Sequence, residues 1–267
     1  PMSHLPGYDF AVQGMCGIMS VTGEPDGPPM KVGVAWVDIL CGLYAVVGIQ
    51  AALRARELTG QGQYIDLSLW DAAVAAMANL AQAYLVSGRE PKRLGNAHAQ
   101  IVPYQMFATA DGYMVLAVGN DAQFERFCQV IGRPELAADE RFATNPARVK
   151  NRDVLIPILA DVLRQKTTDE WLKPLAEAKV PAAPVWGLSQ VLESDLARYR
   201  GMRWPVDHPA VGPVELVGSP LQHMGLTPAR PAGPPPTLGQ HTAEVLREVL
   251  GYSEEDIRRL AETGVVR

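Results

Sequence analysis

The rhythm of apolar and polar positions changes several times along the chain, and each change predicts an element. From Asp38 to Leu58 there is no proline and apolar residues fall on nearly every face, the pattern of a buried core helix. Thr59-Gly60-Gln61-Gly62-Gln63 ends that helix, with Gly60 suited to the left-handed residue that closes a helix. Tyr64 to Leu69 alternates apolar and polar residues, predicting a short strand, and Asp71 to Leu85 predicts a second, Ala-rich helix closed by Ser87-Gly88. Paired prolines and Asp26-Gly27 mark residues 24–31 as a loop.

The pattern turns polar over residues 88–103, with Gly and Pro at both ends, which places a domain boundary there. A hairpin follows, Tyr104–Thr109 and Tyr113–Val118, turning at Asp111-Gly112. Helical spacing continues over about 121–131, 148–165 and 168–179, and Thr167 and Glu170 have capping-box spacing. Val180-Pro181-Ala182-Ala183-Pro184 marks a second boundary. Short strands near 203–206 and 213–217 lead to a Pro-rich linker, 228–236, and to terminal helices near 240–250 and 253–263. The expected domains are 1–94, 95–185 and 186–267.

Composition narrows the function classes. The 267 residues are 48% hydrophobic and 20% charged, a globular balance that excludes whole-chain disorder. A net charge of −5 with no long basic block argues against a nucleic-acid or membrane-surface partner. Cys16, Cys41 and Cys128 are scattered, which excludes a disulfide framework and a Cys-rich zinc site and fits a cytoplasmic location. The apolar run Ile39–Ile49 is too short to span a bilayer, and no secretory pattern precedes His4. His4, His208 and His223 lack metal-ligand spacing, so no metal site is expected.

Asp38 stands between the β-prone Val32–Val37 and the apolar helix. Its carboxylate suits two roles there: an N-cap that accepts a backbone N–H, or a nucleophile at the positive end of a helix dipole. Three further stretches bear on the choice. Pro6-Gly7-Tyr8-Asp9-Phe10, Gly17-Ile18-Met19-Ser20-Val21-Thr22-Gly23 and Val34–Asp38 are followed in order by Thr59–Gln63, Asp111-Gly112-Tyr113 and Leu238-Gly239-Gln240-His241-Thr242. In order and spacing these motifs resemble the class III CoA-transferases, the CaiB/BaiF or formyl-CoA-transferase family, over essentially the whole chain.

The resemblance implies an α/β fold, with a Rossmann-like large domain, incomplete here, and a smaller α+β domain, in an interlocked homodimer. It implies Asp38 as the catalytic nucleophile, acyl-CoA and a small carboxylic acid as substrates, and no permanently bound cofactor. Tyr8 occupies the position of a racemase histidine, and a phenol with an ordinary pKa near 10 is a poor base, so an α-methylacyl-CoA racemase is the lesser alternative. Some relatives carry a glycine run where this chain has Asn96-Ala97-His98-Ala99-Gln100, which resembles the short-dicarboxylate branch. Tyr8, Arg93, Asn96, His98 and Gln100 are therefore expected to bind substrate, with Arg93 and His98 on the distal carboxylate, against the plainer reading of a solvated basic loop. Relatives normally begin with a further segment supplying many CoA contacts. The expectation is that this segment is lost or lies on a separate chain, which leaves an inactive fragment as another alternative.

Overall fold

The computed structural model describes residues 4–226, 229 and 233–266. The chain divides into two units, Pro1–Val185 and Trp186–Arg267. Parts of the expected linker 228–236 lie outside the described residues.

The first unit opens with helices α1 (Asp9–Met15), α2 (Ile18–Val21), α3 (Trp36–Thr59), α4 (Leu69–Ala76) and α5 (Ala78–Ser87). Val12, Cys16, Val37 and Ala73 form a small core where α1, α3 and α4 meet, and the Trp70 indole N–H donates to the Met15 carbonyl at 3.2 Å. The long apolar helix appears where expected and ends at Gly60, whose φ of 75° is the left-handed closure anticipated. It is not buried as expected: Val37 alone is fully buried, and Ile39, Leu43, Val46, Val47 and Ile49 face outward because no described element covers them. An 18-residue window within its 24 residues has a mean hydropathy of 1.7, so by length and composition alone the helix could cross a membrane, although the apolar run Ile39–Ile49 by itself is too short.

Three further expectations give way. Tyr64 to Ser68 runs as an exposed coil, with no strand to pair with among the described residues, and Leu69 already begins α4. The β-prone Val32–Val37 is coil up to α3. The predicted helix from Asp71 is broken in two at Ala78, whose φ of 40° accompanies a bend of 75° between α4 and α5.

After the polar loop come strands β1 (Tyr104–Ala108) and β2 (Tyr113–Ala117), helices α6 (Asp121–Val130), α7 (Glu135–Ala138), α8 (Asn145–Lys150), α9 (Arg152–Leu163) and α10 (Thr168–Glu177), and strand β3 (Ala182–Pro184). The three strands form an antiparallel sheet in the order β1-β2-β3, with Met106 opposite Val115 and Val115 opposite Ala183. Leu155, Leu159 and Leu163 repeat every four residues and place one stripe of α9 in a second core with Phe107, Met114, Phe124, Phe127 and Phe142. Asn151 divides the helix expected over 148–165 into α8 and α9. The Thr167–Glu170 capping box forms as the spacing predicts.

The second unit holds α11 (Leu188–Glu193), α12 (Asp195–Tyr199), the hairpin β4 (Arg203–His208) and β5 (Gly212–Val217), a 3-10 turn (Pro220–His223), α13 (Thr242–Glu248) and α14 (Glu254–Glu262). Gln222 ties the turn to the hairpin, accepting from the Trp204 indole N–H at 2.8 Å and donating to the Arg200 carbonyl at 2.6 Å. The chain thus mixes helix and sheet, and among the described residues every strand pair is antiparallel. The Rossmann-like part of the expectation has no parallel pair there.

Candidate active site

Asp38 is the third residue of α3, not its cap. Ala35 holds the N-cap position and has no side chain able to accept a bond. The cap comes from α1 instead. One oxygen of Asp9, Oδ2, accepts the N–H of Val37 at 2.7 Å and that of Asp38 at 3.4 Å. The other, Oδ1, accepts from Nε2 of Gln13 at 2.7 Å, one helical turn along. The Gln13 amide is fully buried, and its Oε1 accepts the N–H of Val32 at 2.8 Å. A carboxylate from one helix therefore meets the positive end of another, where two backbone donors would otherwise lack partners. Asp38 itself is exposed, and among the described residues its carboxylate meets no hydrogen-bond donor.

Tyr8, 79% exposed, precedes α1; its carbonyl accepts the Val12 N–H at 3.1 Å, and its hydroxyl has no partner among the described residues. Asp9, backed by Gln13, thus meets the backbone of Val37 and Asp38 at the start of α3, with Tyr8 next to Asp9 in the chain.

The polar loop is a second assembly. The Arg93 guanidinium donates to the carbonyls of Gly27 at 2.9 Å, Glu24 at 3.3 Å and Ser20 at 3.5 Å, and the Gly95 N–H donates to the Gly23 carbonyl at 3.0 Å. Three of Arg93's five donors are committed to the backbone, so the structure gives it a tethering role that sequence reasoning did not foresee. Gly95 suits its place through its backbone: φ of 58° lies in the left-handed region that favours glycine, while an added Cβ would meet only the movable carboxylate of Glu24.

His98 is held from several sides. Its N–H donates to the Tyr104 carbonyl at 2.9 Å, its ring lies 5.2 Å from the Tyr104 ring, and Arg152 donates to the carbonyls of His98 and Ala99 at 3.2 and 2.9 Å. Nδ1 accepts the Gln100 N–H at 3.1 Å, which in the neutral ring leaves the proton on Nε2, a donor available to a ligand. Asn145 donates to the Gln100 carbonyl at 2.7 Å and accepts the Val102 N–H at 3.1 Å. Asn96 is exposed in a turn. The loop is therefore fastened to residues 20–27 at one end and to α8 and α9 at the other. No hydrogen bond joins its residues to the Asp38 cluster among the described residues.

The Asp111-Gly112-Tyr113 motif proves structural: Asp111 Oδ1 accepts the Thr168 N–H at 2.8 Å and the Thr109 hydroxyl at 3.0 Å. The Thr168 N–H holds this exposed carboxyl below its ordinary value. Sequence reasoning missed Gln13, Arg148 and the capping role of Asp9. The signals were Asp9 and Gln13 at i,i+4 and a helix start, Gly33-Val34-Ala35, with no capping side chain of its own. No cluster of His, Cys, Asp or Glu suited to a metal occurs among the described residues.

Residues 1–242 match the family model for CoA-transferase family III. The chain is 39% identical over 266 residues to a succinyl-CoA:glutarate CoA-transferase of Mus musculus, covering all of this chain and 61% of that protein. It is 43% identical over 249 residues to a succinate–glutarate CoA-transferase of Agrobacterium fabrum, covering 93% of this chain and 62% of that one. Among solved structures, a CaiB/BaiF family protein from Brucella suis superposes with a TM-score of 0.81 at 42% identity, over 93% of this chain and 64% of the other. The chain spans about three fifths of the length of the curated relatives it matches. With its motifs in order, its mixed fold superposed and its match running through residue 242, the chain belongs to CoA-transferase family III.

Proposed function

We propose that Asp38 is the nucleophile of a CoA transfer from an acyl-CoA, of the succinyl-CoA class, to a short dicarboxylic acid. The observation that carries this reading is an exposed carboxylate in the first turn of α3 whose neighbouring N–H groups are already satisfied by Asp9. The names of the relatives support the substrate class. An Asp38 oxygen attacks the thioester carbonyl; a C–O bond forms, the C–S bond breaks, and CoA thiolate leaves a mixed anhydride. The thiolate then attacks the aspartyl carbonyl, releasing the donor carboxylate and leaving an aspartyl thioester. The acceptor carboxylate displaces CoA to give a second anhydride, and thiolate attack on the acceptor's acyl carbon returns Asp38 and a new acyl-CoA. No net proton moves, and the thioester's energy is retained through covalent intermediates.

In this reading Tyr8, Asn96, His98 and Gln100 contact substrate, with the His98 Nε2–H offered to a carboxylate, while Arg93 holds the loop to residues 20–27. The same reading extends to a homodimer working in the cytoplasm. The test is to supply succinyl-CoA with glutarate labelled with 18O in its carboxylates. Glutaryl-CoA together with label in the Asp38 carboxylate supports it. Glutaryl-CoA without label in Asp38 refutes the anhydride route, and transfer that survives Asp38→Ala refutes the nucleophile.

A further inference from the structure

An acid in the first turn of a helix can fold back onto the free N–H groups of its own helix, and a carboxylate so engaged has its lone pairs occupied. Asp38 is placed for that, yet among the described residues its carboxylate accepts no hydrogen bond. We propose that Asp9, braced by Gln13, is a positioning residue. It takes the N–H groups of Val37 and Asp38, so that the Asp38 carboxylate stays free to attack. The inference rests on the reading of Asp38 as the nucleophile.

The bonding leaves little choice of residue. The Val32 N–H donates to Gln13 Oε1 at 2.8 Å, which fixes the orientation of the buried amide and turns its NH2 toward Asp9. Residue 9 must therefore accept on both sides: from Gln13 Nε2 on Oδ1 and from the start of α3 on Oδ2. A carboxylate does this; an asparagine presents its own NH2 either to the Gln13 NH2 or to the helix N–H groups. A burial this complete leaves no room for water to mediate the mismatch at Gln13. The pairing can be reversed, however. With Asp9→Asn and Gln13→Glu together, the asparagine oxygen accepts from the helix and its NH2 donates to the new carboxylate. The other oxygen of that carboxylate still accepts from Val32, and the exchange gives up the long 3.5 Å bond from Gln13 Nε2 to the Val34 carbonyl. Total charge is unchanged.

The experiment incubates the full chain with succinyl-CoA and hydroxylamine and follows by peptide mass spectrometry the conversion of Asp38 to its hydroxamate. Hydroxylamine nitrogen attacks the aspartyl carbonyl of the thioester and CoA leaves as the thiol. Asp9→Asn is expected to slow labelling at saturating succinyl-CoA by about tenfold or more, one lost charge-assisted bond, with the half-saturating concentration unchanged. Gln13→Glu alone is expected to be slow as well, and the double variant to return to within about threefold of the native rate. Native-rate labelling in Asp9→Asn, or a double variant no faster than either single one, overturns the proposal. Absent labelling of the native chain, or succinyl-CoA-dependent labelling of another residue that persists in Asp38→Ala, overturns the nucleophile reading instead. The brace is then judged by amide exchange: Val37 and Asp38 should exchange about tenfold faster in Asp9→Asn, and unchanged exchange overturns it.

Discussion

Arg148 has no exposed surface, and what it satisfies decides the cost of losing it. Its Nε donates to the Val102 carbonyl at 2.6 Å, Nη1 to the Phe142 carbonyl at 2.9 Å and Nη2 to Asp121 at 2.8 Å, and the guanidinium lies 4.3 Å above the Phe124 ring. Burial pushes this guanidinium below its ordinary value and Asp121 partly offsets that, but an arginine stays charged at neutral pH. Arg148→Met fills most of the volume and removes the buried charge, which by itself is neutral or favourable. It also leaves two carbonyls without a donor, at about 1–3 kcal/mol each. Orphaned carbonyls outweigh the relief, and we expect a loss of about 3 kcal/mol. Asp121→Asn keeps an acceptor on a half-exposed side chain and should cost about 1 kcal/mol. Urea titration followed by circular dichroism measures both, and the Tm of Arg148→Met should fall by about 6–12 °C. Arg148→Met within about 1 kcal/mol of the native chain, or Asp121→Asn more costly than Arg148→Met, would refute the argument that carbonyl satisfaction is what Arg148 supplies.

Other expectations follow from the same contacts. Burial pushes the Cys128 thiol up to about 12, and Cys16 is buried while Cys41 is half-exposed, so an alkylating reagent at neutral pH should modify Cys41 alone in the folded chain; peptide mapping that finds Cys128 modified without unfolding contradicts this. Asp111 is held below its ordinary value chiefly by the Thr168 N–H, so its stabilisation is complete above the unfolded value near 3.9 and is lost as pH falls through the folded one. Asp111→Ala should thus lower the Tm at neutral pH, and the gap should close in acid; a gap independent of pH contradicts the assignment. Arg93→Ala should speed exchange of the Gly95 amide by releasing residues 20–27, and Arg93→Lys should restore only part of the protection; native protection in Arg93→Ala contradicts the tether.

Local signals carried much of the fold. The Asp111-Gly112 hairpin, the Thr167–Glu170 capping box and the closing glycine Gly60 depend on neighbours in sequence, and they form as read. What was illegible depends on distant partners. Tyr64–Leu69 has a strand's alternation but no strand beside it, and the apolar faces of α3 find no described cover. At the candidate site, motif order singled out Asp38 as the candidate nucleophile, whereas its separation from the N-cap role required seeing Asp9 arrive from 29 residues away. At Arg93 the fold adds what the sequence did not show: its chemistry suits a carboxylate, and three backbone carbonyls come to it.

The central claim is that Asp38 carries the acyl and CoA groups in turn. Its most direct test is hydroxylamine trapping with succinyl-CoA, comparing the native chain with Asp38→Asn. The account predicts a hydroxamate at Asp38 that depends on succinyl-CoA and is absent from the variant. Adducts elsewhere with none at Asp38, or none on any residue, would contradict it.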